Sequence, residues 1–257
     1  MRLTVLGSSA SYPGPGRACA GHFLQAAGAR VLLDCGNGVV SNLAQVIDPT
    51  VLDAVFVTHN HPDHYADLYV LHAALRYAPD GPRSPLPLYL PAGLWERIPL
   101  LLSERGAADI AEAFIPITLV AGQPVQIGGL SVTPHPVQHT DPTFALVAVA
   151  DGATLTYTAD TAPCGGVVEA ARGADLLLAE ATLEEAYEGV ALHMTAKQAG
   201  TLAREAGVRA LVLVHIWPTN DRELMARHAT AEFGATAIVA QEFDEFDIAN
   251  DPNGRDD

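Results

Sequence analysis

His59, His61, Asp63 and His64 fall within six positions of one another in the stretch THNHPDHYADL, with Pro62 among them. Three imidazoles and a carboxylate crowded this tightly form a set of lone pairs suited to a cation. Neutral imidazole nitrogen and carboxylate oxygen are common donors to zinc and related divalent ions. The H-x-H-x-D-H spacing does not fit a single helix turn, and a half-buried strand would send alternate side chains to opposite faces. A loop must therefore fold back around whatever is held. The bland alternatives are a solvated histidine-rich turn, or N-capping of the following helix by Asp63.

Other residues of the same chemistry recur in similar places. His139, in VQHTDPTF, precedes a β-like run, and Asp160, in TYTADTAP, ends one. His193, in ALHMTA, stands before a helical stretch, and His215, in VLVHIWP, ends an apolar run. Each alone would be unremarkable. Their common position at element ends, beside the first cluster, makes them candidates for the same site. His22, His72 and His228 read as structural, and His135 is notable only for its closeness to His139 in sequence.

These residues need elements to position them. LDAVFVTH (52–59) is an apolar run typical of a buried strand and delivers the cluster at its carboxyl end, where α/β scaffolds carry their functional groups. LTVLG (3–7), HFLQAA (22–27) and RVLLDCG (30–36) read as early strands, VVSNLAQVI (39–47) and ADLYVLHAALRYA (66–78) as helices. The proline-rich stretch 79–99 holds a short strand at LPLYL. Two β runs follow at 124–137 and 143–160, the second broken by the hairpin dipeptide Asp151-Gly152. ADLLLAE (174–180) and RALVLVH (209–215) are again buried strands. The stretch 194–207 predicts an amphipathic helix with Thr195 as N-cap and Gly207 as stop, and 221–234 another helix. Hairpins and strands alternating with helices suit an α/β protein with two sheets between helix layers, although periodicity alone does not establish that arrangement. With no tandem repeat and no linker, a single domain over 1–250 is expected, followed by a disordered acidic tail at 251–257.

Composition narrows the function. The 257 residues are 49% hydrophobic, so a packed core is expected. The formal charge is −16, Lys197 is the only lysine, and residues 241–257 carry seven acids against one arginine. Polyanion binding depends on Lys and Arg contacts to phosphates, so a large nucleic-acid footprint is disfavoured. No apolar run approaches the roughly 20 residues of a membrane span, and the N-terminal apolar run before Gly7 is too short for a secretory signal. The expected location is cytoplasmic. Cys19, Cys35 and Cys164 lack C-x-x-C spacing and read as small buried residues.

The motif H-x-H-x-D-H followed in order by His139, Asp160 and His215 resembles the metallo-β-lactamase superfamily, and the resemblance runs from Leu3 to about Phe246. AEATLEE (179–185), HMTAKQAG (193–200), LVLVHIWP (211–218) and the turn Gly7-Ser8-Ser9-Ala10 are similar to segments of its ribonuclease Z-like branch. The resemblance implies an αβ/βα four-layer sandwich with a dinuclear metal site between the sheet edges, and a homodimer. It implies that His59, His61 and His139 bind one divalent ion, that Asp63, His64 and His215 bind the other, and that Asp160 bridges them. Zinc is the first choice; manganese or iron suits the same donors. Metal binding lowers the pKa of water from 15.7 to about 7, which supplies a hydroxide nucleophile at neutral pH. Asp63 would orient the attacking water or receive its proton. His193 would serve as acid or hydrogen-bond donor, oriented by Glu180.

Two departures from the branch's tRNA-processing members are present. Their long arm between the third histidine and the bridging aspartate is replaced here by one β-hairpin, and Met194 stands at the second position of the His-Ser/Thr segment. The expected activity is therefore that of a phosphodiesterase acting on a small or short single-stranded phosphodiester. Two other readings stay open. Acyl, lactone or sulfate esters would be favoured by an apolar pocket lined from 79–99, whereas Arg17 or Arg76 beside the metals would favour a phosphodiester. A metal-dependent binding protein without turnover is the third reading, against which the complete ligand set argues.

Overall fold

The computed structural model describes residues 1–249, so the tail expected at 251–257 lies outside the described residues. The early apolar runs form an antiparallel meander of β1 (Arg2–Gly7), β2 (Gly21–Ala26) and β3 (Ala29–Leu33). From β3 onward the strands run parallel, and a parallel neighbour needs a crossover. Helices α1 (Val39–Leu43), α2 (Leu68–Arg76) and α3 (Glu104–Ala113) precede β4 (Ala54–Phe56), β5 (Leu86–Leu90) and β6 (Phe114–Thr118) respectively. The second half repeats this plan. Strands β7 (Val125–Ile127), β8 (Leu130–Pro136), β9 (Phe144–Ala150) and β10 (Ala153–Tyr157) are antiparallel. Then α4 (Gly165–Ala171), α5 (Ala196–Ala206) and α6 (Arg222–Phe233) lead to the parallel strands β11 (Leu176–Glu180), β12 (Leu211–Val214) and β13 (Ala237–Val239). Finally β14 (Glu245–Asp247) returns to pair with β1. The two seven-stranded sheets have the orders β14-β1-β2-β3-β4-β5-β6 and β13-β12-β11-β10-β9-β8-β7.

Side-chain alternation along the strands separates three cores. Leu3, Leu24 and Phe56 of the first sheet meet Val132, Leu146, Tyr157, Leu178 and Val214 of the second. Their neighbours point outward. Leu6, Phe23 and Leu32 pack under Leu71, Leu75 and Ile110 of α2 and α3. Leu177, Leu211 and Leu213 pack under Ala199, Ala203, Met225 and Ala229 of α5 and α6. The result is the four-layer α/β sandwich that the resemblance implied.

Local signals held where they were strong. Thr195 closes a capping box with Gln198, and Gly207 ends α5 in the left-handed region at φ 66°. Asp151 and Gly152 take φ values of 52° and 78° in the β9–β10 turn. Other boundaries differ. The strand expected at 52–59 pairs only over Ala54–Phe56, because Thr58 and His59 bend away to serve the site. The helix expected at 39–47 stops at Leu43. Elements α3, β6, α4, β13 and β14 carried no clear sequence signal: α4 opens on two glycines, and β6 is an edge strand containing Pro116. The stretch 79–99 sends Leu86, Leu88, Leu90, Leu94 and Ile98 into the core beneath α2 and α3. These five side chains are therefore core rather than pocket lining. Among the described residues no helix is long and apolar enough to cross a membrane.

Phe56 is fully buried between the sheets and stacks on Tyr89 at 4.6 Å. Denaturant titration of Phe56→Ala should show a loss of about 3–5 kcal/mol from the lost burial and the cavity left behind. The change Thr195→Ala at the N-terminus of α5 should cost about 1 kcal/mol through its cap.

Candidate metal centre

The THNHPDHYADL stretch leaves β4, makes one turn of 3-10 helix over Pro62–His64 and enters α2. It is strapped to the segment after β3: Cys35 donates its N–H to the His64 carbonyl (2.7 Å), and Asp67 donates its own to the Cys35 carbonyl (2.9 Å). This contact requires glycine at position 36, where a Cβ would lie 1.9 Å from the Asp63 carbonyl oxygen. The loop thus folds back as the spacing required.

All seven expected ligands and His193 converge at the carboxyl edge of the two sheets. The donor atoms of His59, His61, His139 and Asp160 lie within 4.8 Å of one another, as do those of Asp63, His64 and His215, and those of Asp160, His193 and His215. Asp160 stands between the groups. Its Oδ2 lies 3.5 Å from His59 Nε2, 3.3 Å from His64 Nε2 and 3.8 Å from His139 Nε2, while Oδ1 is 3.4 Å from His215 Nε2. Asp63 Oδ2 accepts the Ser11 N–H at 2.7 Å and lies 3.3 Å from His215 Nε2.

Hydrogen bonds behind the rings set their tautomers. His64 donates from Nδ1 to Asp34 Oδ2 at 2.7 Å, and His139 donates from Nδ1 to the Leu192 carbonyl at 2.9 Å. The Thr58 hydroxyl gives its proton to Asp34 and so accepts from His59 Nδ1 at 3.1 Å. The Thr182 hydroxyl gives its proton to Glu180 and so accepts from His215 Nδ1 at 2.7 Å. Each of these four histidines therefore turns Nε2 inward with no proton required on it, the arrangement that metal-binding imidazoles share. His64 Nε2 and His215 Nε2 face each other at 3.2 Å, and His139 Nε2 faces His61 Nδ1 at 3.1 Å. Buried His59 Nε2 and Asp160 Oδ1 have no hydrogen-bond partner among the described residues. Converging acceptors with unmet lone pairs fit divalent cations.

The electrostatics agree. Burial holds His59, His61 and His139 below the ordinary histidine range, which keeps them neutral donors. Burial also opposes charge on His64, but Asp160 and Asp34 outweigh it and raise that group well above its ordinary value. Burial would raise Asp63 and Asp160; the surrounding histidines instead keep both carboxylates ionised. The centre thus demands positive charge at its middle. His193 donates from Nδ1 to the buried Glu180 at 2.9 Å. Burial alone would lower it, yet the bond and charge of Glu180 lift it to about 9. Backbone strain gathers here too, with Asp34, Ala159 and His215 at φ values of 60°, 53° and 51°.

Several supports were not singled out in the sequence. Asp34, which ends the apolar run RVLL, accepts from Thr58, His64 and Tyr157. Its only sequence signal was an acid closing a buried strand. Ser11, Thr58, Thr182 and the Leu192 carbonyl had none. The turn Gly7-Ser8-Ser9-Ala10 is chiefly a structural brace. The N–H groups of Ser8, Ser9 and Ala10 go to Glu242, Ala18 and Ile216, and a Cβ on Gly7 would sit 1.7 Å from the Cys19 carbonyl oxygen. Arg17 pairs with Glu242 and Arg76 with Glu112, so a carboxylate engages each of the two arginines considered for a phosphate. His22 is buried against the Tyr157 ring and pushed down to about 3 by burial, and His228 pairs with Glu185. Cys19 and Cys35 are buried free thiols, and Cys164 is half-buried.

Replacing Asp34 by Asn removes the charge behind His64 while nearly keeping its shape. Chelator competition on Asp34→Asn should show metal affinity weakened by about 10–100-fold.

Sequence and structure comparisons place this centre among relatives. A family model described as the beta-lactamase superfamily domain matches residues 29–216. The chain is 36% identical over 249 residues to an uncharacterized protein of Mycobacterium tuberculosis, covering 94% of this chain and 91% of that protein. It is 28% identical over 246 residues to the probable metallo-hydrolase YhfI of Bacillus subtilis, covering 94% and 97%. The crystal structure of YhfI, a metallo-β-lactamase fold protein, aligns with a TM-score of 0.85 at 26% identity, over 95% of this chain and 98% of that one. Ribonuclease Z of Methanosarcina acetivorans is 27% identical over 314 residues, covering 98% and 99%. With two mixed sheets between helix layers and a histidine–aspartate cluster able to hold metal ions at their edge, the chain belongs to the metallo-β-lactamase superfamily of metal-dependent hydrolases.

Proposed function

We propose that the protein is a phosphodiesterase that holds two divalent ions, zinc first among them, and acts on a small or short single-stranded phosphodiester. His59, His61 and His139 would hold one ion, and Asp63, His64 and His215 the other, with Asp160 between. When bound, such ions supply Lewis acidity and an activated water at neutral pH.

The observation that carries the reading is the His193–Glu180 pair. Phosphodiester cleavage expels an alkoxide that needs a proton, and it builds negative charge on the way. His193 sits beside His139 and His215, with ring centroids 4.7 and 5.7 Å away, and its Nδ1 proton is fixed on Glu180. Nε2 is then the atom that gives a proton to the departing oxygen. Asp63 is held by Ser11 and His215 at the rim and is only 11% exposed, placed to receive the proton of the attacking water. The net charge of −16 and the pairing of Arg17 and Arg76 with carboxylates favour a small substrate over a long polyanion.

Bis(p-nitrophenyl) phosphate should be turned over, with activity lost to chelator and restored by zinc or manganese. His61→Ala should abolish it while circular dichroism stays native. Full metal loading with no turnover would instead move the substrate to acyl or sulfate esters. His193→Ala should slow diesters with alkyl leaving groups by about 10²–10⁴-fold. The p-nitrophenyl diester should lose much less, because that leaving group needs no proton. Equal losses on both would remove His193 from the acid role.

A further inference from the structure

A cavity of about 470 Å³ is lined by Leu183, Tyr187, Val190 and Trp217 together with Thr219 and Asn220. Its lining adjoins groups that hold two histidines of the centre from behind. Thr182, which also lines it, contacts His215 Nδ1 through its hydroxyl, and Trp217 follows His215 by two residues. Ala191, another lining residue, precedes Leu192, whose carbonyl holds His139.

We propose that this cavity is a subsite for a planar heteroaromatic group, a nucleobase, on the substrate whose phosphodiester lies at the centre. The assignment rests on the phosphodiesterase reading. Its lining combines the exposed rings of Tyr187 and Trp217 with the polar side chains of Thr219 and Asn220. Tyr187 and Trp217 are 56% and 38% exposed, an apolar surface that a ligand would cover. Tyr12, from the loop that holds Asp63, meets the Trp217 indole edge-on at 5.8 Å and 89° and steadies it. Asn220 donates from Nδ2 to the Thr182 carbonyl at 2.9 Å, which leaves its amide oxygen to accept. With the Thr219 hydroxyl it can read the hydrogen-bonding edge of a base, polar groups that an aliphatic chain would leave unmet.

Charge supplies the reason for such a subsite. Arg17 and Arg76 are engaged by carboxylates, and the chain is strongly acidic, so electrostatic attraction gives a nucleotide little hold outside the metal centre. Stacking of a base on aromatic rings does not depend on that charge.

The test compares two diesters with one leaving group on the zinc-loaded protein: the p-nitrophenyl ester of thymidine 5′-monophosphate and methyl p-nitrophenyl phosphate. The thymidine diester should have the higher kcat/KM by about tenfold. Trp217→Ala should bring that ratio close to one, and Trp217→Phe should restore most of it. Calorimetry should show thymidine 5′-monophosphate binding weakened by a similar factor in Trp217→Ala. A ratio and a binding constant that ignore Trp217→Ala would overturn the subsite. So would a hexyl p-nitrophenyl phosphate that gains as much from the cavity and loses as much in the variant. If neither diester is cleaved but Trp217→Ala still weakens thymidine 5′-monophosphate binding, the phosphodiesterase reading fails and the base subsite stands.

Discussion

The buried Asp34 carboxylate is the constraint around which the centre is organised. It has no exposure to solvent and accepts four hydrogen bonds: from the Thr58 N–H at 2.8 Å, the Thr58 hydroxyl at 3.0 Å, His64 Nδ1 at 2.7 Å and the Tyr157 hydroxyl at 2.8 Å. A carboxylate removed from water is tolerated only when such donors replace hydration. Burial and the Asp34 charge push the Tyr157 hydroxyl well up, so it remains a donor. The four bonds join the end of β3 to the end of β4 and, through Tyr157 at the end of β10, the first sheet to the second. Breaking any one leaves a buried group unpaired, which fixes the geometry more firmly than the net strength of each bond would suggest.

Glu180 plays the matching part on the other sheet. It closes β11, is fully buried, and accepts from the Thr161 N–H, both Thr182 donors and His193. Through Thr182 it also sets His215. Two acids at strand ends, one per sheet, thus orient the rings on either side of the centre. Glu180 ends β11 and Asp34 directly follows β3, so both are anchored by strands rather than carried on loop tips. The cost appears as left-handed backbone at Asp34, Ala159 and His215, conformations that packing must hold in place.

The same layout separates the tasks of the two faces. Apolar side chains fill the space between the sheets and the two outer layers, and the chemistry is confined to one edge. The acidic surface gives little attraction for phosphate, so on the proposed reading substrate binding falls to the metal centre and the cavity beside Trp217. That division is consistent with a short hairpin between His139 and Asp160, where the antiparallel strands β9 and β10 turn in two residues.

What the sequence determined by itself was the chemistry and the strands that carry it. H-x-H-x-D-H is local, and the apolar runs ending at His59, Asp160 and His215 are legible because a buried strand writes its burial into consecutive residues. Order alone could not bring His139 and His61, 78 positions apart, to 3.1 Å. The roles of Asp34, Thr58, Thr182 and the Leu192 carbonyl were illegible for the same reason, since each acts only through a partner that the fold brings near. Short edge strands such as β13 and β14 escaped notice because three residues hold too little pattern, and their register comes from the neighbours they pair with. The cavity at Trp217 was likewise a decision of the tertiary structure. Tyr12, Tyr187 and Trp217 come from three separate segments, and only the packing of both sheets places Tyr12 against Trp217 and the other two around one cavity. Residue type sets which bonds a group can make, and chain folding decides which of them are made.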